Sequence, residues 1–243
     1  VGAILIWALL SHNTFSPLVL PSPTAVLKEG LEMLRNGELW SNTAATMVRL
    51  VAGYLLGVSA GALLGAIAGR TTIIRDILLP LINLIRPLSP VALIPLFIIW
   101  FGIGQLSKIL LVSYTSFITL FFCAFSGVAS TPLIRERAAR MLGAGRIALA
   151  WKVVLPSSVP YLLTGLRLAV GNAYMSVVAA ELFAANSGLG YVIMSARLNL
   201  LTTRMFVGLA ALGILGLLSD VVVRKVITRY GRRFLSNEIS SVM

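Results

Sequence analysis

The sequence predicts an all-α, polytopic membrane protein with about six transmembrane helices. Three observations carry that prediction. Of 243 residues, 58% are hydrophobic and 12% charged, with mean hydropathy +0.95. A soluble domain is about 45–50% apolar and about 25% charged, so too little charge is present here to clothe a soluble surface. Most long segments are apolar all the way round, which leaves no polar face for water. The net charge is +12, and the cations gather at the ends of the apolar segments. That pattern follows from membrane topology and not from nucleic-acid binding.

The elements follow in order. "VGAILIWALL", residues 1–10, is too short to span alone and reads as the end of a first helix that begins before Val1. A signal peptide is a weaker reading, because a basic leader and a small-residue cleavage site are missing. Pro17, Pro21 and Pro23 break the next stretch. Thr24 is positioned to cap a helix over 24–36 with Val26, Leu27, Leu31 and Leu34 on one side and Lys28, Glu29, Glu32 and Arg35 on the other. Such a helix suits a membrane interface. Residues 43–69 form the second span. Gly53, Gly57, Gly61, Gly65 and Gly69 recur every fourth residue, giving one face that admits a close neighbour, within the chain or across a dimer seam.

Residues 73–101 are long enough to cross but carry Pro80, Pro87, Pro90 and Pro95. Freed backbone groups at membrane depth are tolerated only against protein or a wet cavity, so this broken span should line something. Residues 106–128 are the fourth span, 159–185 the fifth and 205–223 the sixth. A short glycine-containing helix lies in 186–200. Trp7, Trp40, Trp100 and Trp151 fall near span ends, as interfacial anchors do, and Arg49 and Arg167 are expected to snorkel to headgroups.

If the first helix runs outward, the inner segments are 70–75, 129–158 and the C-terminus. They hold twelve of the twenty cations: Arg70, Arg75, Arg135, Arg137, Arg140, Arg146, Lys152, Arg224, Lys225, Arg229, Arg232 and Arg233. This excess places "RERAARMLGAGRIALAWKVVLP", Arg135 to Pro156, in the cytoplasm. The stretch reads as two short helices joined at Gly143, with a stop at Pro156. Leu133, Ile134, Ala138, Met141 and Leu142 share one face of the first. A basic hairpin held by lipid headgroups is the plainer alternative.

Here the residues carry a resemblance. Ala138-Ala139, three residues, Gly143, nine residues, then Val153-x-Leu155-Pro156 is similar to the cytoplasmic EAA loop of bacterial ABC importer permeases. Arg137 stands where the general pattern has glutamate, with Glu136 beside it. "LPSPTAV", "IRPLSPVALIPLFIIWFGIGQLSKILL", "LPSSVPYLLTGLRLAVG" and "AAELFAANSGLGY" resemble the permeases of nitrate, sulfonate and taurine importers, the aliphatic sulfonate and taurine branch above all. The resemblance implies one permease domain over 1–243 with the type I importer fold, in the bacterial inner membrane. It implies a coupling loop over 129–158 in which Glu136, Arg137, Ala138, Ala139, Leu142, Gly143, Ala144, Leu155 and Pro156 meet an ATPase. The implied partners are a second permease copy, two ATPase subunits carrying ATP and Mg, and an extracytoplasmic binding protein. The implied solute is small and anionic: a sulfonate or taurine, or else nitrate, bicarbonate or an aromatic acid.

The path through the membrane is expected near polar residues at depth. An intramembrane charge costs about 2.5–3.5 kcal/mol at the centre of a span. Arg86, beside Pro87, and Glu181 are the two candidates, with Ser89, Asn172 and Ser176 as polar companions. A structural reading stays open for each: Arg86 and Glu181 as an ion pair, Arg86 as a cap on loose carbonyls, and Asn172 and Ser176 as helix–helix hydrogen bonds. With one cysteine (Cys123) and one histidine (His12), no His/Cys metal site and no disulfide framework can be built. None of the four lysines completes a phosphate-binding G-x-x-x-x-G-K-[ST] loop, so the chain is expected to be a non-enzymatic subunit without its own cofactor. An ion-coupled carrier would need a set of intramembrane carboxylates and finds only Glu181, with Asp76 and Asp220 near span ends.

Overall fold

A computed structural model describes residues 6–8, 10–11 and 19–231, and every regular element among them is helical. In chain order these are α1 (Pro23–Arg35), α2 (Glu38–Arg70), α3 (Thr72–Ile85), α4 (Pro90–Phe101), α5 (Gln105–Ala129), α6 (Leu133–Met141), α7 (Arg146–Leu149), a π-helical turn (Ala150–Val154), α8 (Leu155–Ala184), α9 (Leu189–Leu198) and α10 (Thr202–Gly231). Among the described residues, four stretches are long and apolar enough to cross a membrane: α2, α5, the continuous Arg146–Phe183 and Thr202–Ile227. The halves α3 and α4 make a fifth, interrupted stretch. The first expected span falls mostly outside the described residues, as do His12, Arg232 and Arg233.

Two compact units share the chain. One is built from Val1–Val51, Pro90–Leu111 and Tyr174–Leu218, the other from Ala52–Ser89, Val112–Ala173 and Ser219–Met243.

In the second unit the glycine face of α2 is used up within the chain. A Cβ on Gly57 would collide with the Ser113 carbonyl oxygen, and one on Gly65 with that of Phe121. At Gly61 it would lie 2.6 Å from the Phe117 carbonyl oxygen, and at Gly69 2.8 Å from Val128 Cβ. Partner positions advance by four in step with the glycines, so the two helix segments run parallel, backbone against backbone. Val58, Leu120 and Ala169 form one core there, and Ala68, Ile82 and Phe121 another. Of the two partners left open for this face, α5 of the same chain holds it.

In the first unit Ser22, not Thr24, caps α1: its hydroxyl accepts from the Ala25 N–H at 3.3 Å, and Pro23 occupies the first helical position. The buried face of α1 is Val26 and Met33, seven residues apart, packed on Val192 and Val207. Leu27, Leu31 and Leu34 remain exposed. Arg204 ties α10 to α1 and α2 through Glu29 at 2.7 Å and Glu38 at 3.5 Å.

Pro87 lies in the break and Pro90 opens α4, as expected of a broken span, but the other prolines act differently. Pro80, Pro95 and Pro160 are absorbed inside helices, and the interruption falls at Arg86–Ser89. Pro156 does not stop the chain either. The π turn precedes it, with the Leu155 N–H donating to the Ala150 carbonyl five residues back. That wider ladder lets a residue lacking an N–H follow, and the helix runs on into α8.

Candidate functional site

The hairpin α6–α7 is shaped by its glycine. Gly143 has φ +83°, its N–H donates to the Arg140 carbonyl at 2.9 Å, and the Ala144 N–H reaches the Ala139 carbonyl at 3.0 Å. This paired closure is the Schellman end of a helix, and a left-handed residue is required at that position. Within the hairpin Glu136 is turned inward, 2.7 Å from Arg70 at the end of α2 and 3.8 Å from Arg140 one turn on. Arg137 and Ala138 are exposed, while Ala139 and Ala144 are half-buried. Leu155 is exposed and Pro156 half-buried in the first turn of α8.

Most large apolar side chains of the hairpin find no cover among the described residues. Leu133, Ile134, Met141, Leu142, Ile147 and Trp151 are 66% to 89% exposed. Leu149 and Val154 alone turn in.

A second polar cluster lies in the first unit, centred on Glu181. Arg49 Nη1 donates to its carboxylate at 2.6 Å, and both side chains are sealed from solvent. The Thr46 hydroxyl donates to the same carboxylate at 2.9 Å, and the Gly190 N–H does so at 2.9 Å. Arg49 also donates to the Ser187 carbonyl at 2.7 Å, to the Ser187 hydroxyl at 2.6 Å and to Gln105. Asn42 accepts from the Gly188 N–H at 2.8 Å and Thr46 from the Leu189 N–H at 2.9 Å. The carboxylate thus sits at the N-terminus of α9, where free N–H groups favour negative charge. Gly188 has φ +111°, and a Cβ there would overlap the Glu181 carboxylate. Arg49 is therefore a buried partner and not a snorkelling cation, because an unpaired carboxylate this deep would cost more than the arginine's own desolvation. Arg167, the other cation expected to snorkel, lies 3.5 Å from Asp220 with half of its side chain exposed.

The remaining polar candidates separate into exposed and buried. Arg86 is exposed, its guanidinium carbon 4.6 Å from the centre of the Phe122 ring. The loose Ile85 carbonyl beside the break is taken by the Tyr114 hydroxyl at 2.7 Å, not by Arg86. Ser89 is exposed. Asn172, also exposed, donates to the Thr119 hydroxyl at 2.8 Å. Ser176 is buried and donates to the Leu111 carbonyl at 3.1 Å. The sequence reading missed Asn42, Thr46, Gln105 and the role of Arg49. Their signal was available: positions 42, 46 and 49 share one helical face, with polar groups at the start of an otherwise apolar run. Among the described residues, no group of three His, Cys, Asp or Glu side chains is placed to hold a metal.

Residues 53–232 match the family described as binding-protein-dependent transport system inner membrane component. The chain is 38% identical to the taurine transport system permease protein TauC of Escherichia coli, over 90% of this chain and 81% of that protein. It is 34% identical to SsuC of Bacillus subtilis, a permease protein named for aliphatic sulfonate transport, over 91% and 80% of the two chains. The nitrate import permease protein NrtB of Leptolyngbya laminosa is 29% identical over 79% and 69%. Among the described residues, an all-helical fold with four uninterrupted stretches and one broken stretch long and apolar enough to cross a membrane agrees with an inner-membrane permease. The chain belongs to the binding-protein-dependent inner-membrane transport components, as a non-catalytic ABC transporter permease of the taurine, sulfonate and nitrate family.

Proposed function

We propose that this permease forms the path by which an ATP-driven importer of the bacterial inner membrane carries a small anionic solute, a sulfonate or taurine before nitrate, bicarbonate or an aromatic acid. In this reading it works as one of two permease copies. ATP and Mg sit on two partner ATPase subunits, and an extracytoplasmic binding protein delivers the solute. The hairpin α6–α7, with Leu155 and Pro156, lies on the cytoplasmic side and docks on the ATPase.

One observation carries the reading. A short segment that turns Glu136 inward leaves six large apolar side chains uncovered, interleaved with exposed arginines. Bare apolar surface of this kind marks a protein or membrane contact. Movement of an ATPase would pass into α8 without a joint, because the backbone is helical from Arg146 to Ala184. It would pass into α2 through Arg70 and Glu136. Arg86, Ser89 and Asn172 are exposed polar groups suited to a solute path, whereas Ser176 and Glu181 are buried in hydrogen bonds of the other unit. The pairing of Glu181 with Arg49 also disfavours an ion-coupled carrier, since the carboxylate already has its cation.

The test is co-purification of the chain with its cognate ATPase. Wild type should hold the ATPase and show vanadate-sensitive hydrolysis. Gly143→Pro, or Met141→Glu with Leu142→Glu, should lose it while the permease still inserts. A wild-type chain that retains no ATPase would sink the proposal.

A further inference from the structure

In the second unit, polar side chains gather at a depth where facing lipid is costly. Thr119 and Asn172 fall near the middle of α5 and of α8. Asn172 donates to the Thr119 hydroxyl at 2.8 Å, and that hydroxyl donates to the Thr115 carbonyl at 2.9 Å. Phe122 stands one turn on from Thr119, and the Arg86 guanidinium lies over its ring. Residues three apart share a helix face, so the two contacts bring Arg86 and Asn172 to neighbouring places along α5. Asn83, one turn before Arg86, is exposed as well. An exposed cation and two exposed amides would be expensive against hydrocarbon, so this face is turned to water. Its donors are not spent. Among the described residues Arg86 forms no ion pair, and a ring face leaves its N–H groups free. Asn172 has a second amide N–H. Beside it, a Cβ on Gly171 would meet nothing within 4 Å, so there is open room for a ligand. A free guanidinium and free amides, with no carboxylate among them, are complementary to an anion.

We propose that this face is the solute's binding site at mid-membrane, where Arg86, held over Phe122, offers its N–H edge to a small oxyanion and Asn172 donates a second hydrogen bond from α8. The planar guanidinium suits a sulfonate, carboxylate or nitrate group, whose oxygens accept from it in pairs. Phe122 and Thr119 are positioning residues: the ring fixes where the guanidinium lies, and the hydroxyl fixes the Asn172 amide. The inference rests on the reading of the chain as an anion permease, and adds to it the residues that recognise the anion and the place where they do so.

The experiment places a reporter thiol by Gly171→Cys in the full chain, its own cysteine removed by Cys123→Ala, in membrane vesicles opened on both faces. The probes are anionic sulfonatoethyl methanethiosulfonate and its cationic trimethylammonium counterpart, each rate divided by that on a free thiol. The anionic reagent should be favoured about tenfold, the local enrichment expected beside an unscreened cation. Sodium methanesulfonate should slow the reaction saturably, and gluconate at equal ionic strength should not. Arg86→Gln should erase the preference and weaken methanesulfonate protection about tenfold or more. Arg86→Lys should keep the preference and lose protection a few-fold, because the charge stays and the fork goes. Phe122→Leu should do the same by freeing the guanidinium. Should Arg86→Gln not insert, Arg86→Met makes the same comparison. The proposal is overturned if the thiol is unreactive toward both reagents, as lipid or a second chain over this face would make it. It is overturned equally if the preference survives Arg86→Gln, or if gluconate or chloride protects as well as methanesulfonate. Because no ATPase enters this readout, its failure is distinct from failure of ATPase co-purification.

Discussion

Two glutamate–arginine pairs of almost equal length stand in opposite surroundings. Glu181 and Arg49 are 2.6 Å apart with side chains 0% and 1% exposed. Glu136 and Arg70 are 2.7 Å apart with side chains 11% and 35% exposed. The first carboxylate is also held by Thr46 and by the Gly190 N–H, and its arginine is spent on Ser187 and Gln105. The second is shared with Arg140 at 3.8 Å and borders open surface. Distance alone would rank the pairs together. Burial separates them: a sealed pair is costly to break because the survivor is left charged without water, whereas a half-exposed pair is replaced by hydration. The sealed pair therefore acts as a fixed anchor for the loop before α9, and the open pair as a contact that water can replace.

The largest effect that would break this contrast is Glu181→Ala. Leaving Arg49 buried and unpaired should cost about 3–5 kcal/mol, read as a loss of folded permease in detergent unfolding. Replacing both partners with leucine should recover most of that loss, and a double variant as unstable as the single one would remove the ion pair as the cause. Next is Gly188→Ala, which forces a side chain into a left-handed position against the Glu181 carboxylate. It should cost about 1–3 kcal/mol by the same measurement. Gly143→Ala has the same kind of backbone but nothing within 4 Å of the new methyl group. Its cost should be strain alone, about 1 kcal/mol, with ATPase co-purification weakened more than stability. Smallest is Arg70→Gln, expected to change stability by less than about 1 kcal/mol. Raising salt from about 0.1 to about 1 M should erase that difference and leave the Glu181→Ala difference intact, since screening acts on exposed charges.

Much of the fold was legible because the bilayer simplifies the code. Spans at 43–69, 106–128 and 205–223 were visible as apolar runs and lie inside α2, α5 and α10. The glycine period in α2 announced a tight neighbour, but a helical repeat carries no information about which helix answers it. Residues on α5 supplied that neighbour through their own backbone carbonyls. Prolines were read as stops, and at Pro156 a π turn one step earlier removed the need to stop. That device depends on the backbone ladder, which leaves no residue-type signature.

The hairpin and the Glu181 cluster show the same division. Ala138, Ala139, Gly143, Leu155 and Pro156 spell a turn between helices at fixed spacing, and Gly143 does adopt the left-handed conformation. The sequence by itself determined the membrane class and the position of that turn, since each follows from local composition and short-range spacing, and its resemblance to known permeases pointed to the family. Only the tertiary structure decided that Glu181 meets Arg49, 132 residues away, and that Glu136 meets Arg70. Charge pairing across a fold is a matter of which helix faces meet, and burial at that meeting sets whether a pair is a fixed anchor or one that water can replace.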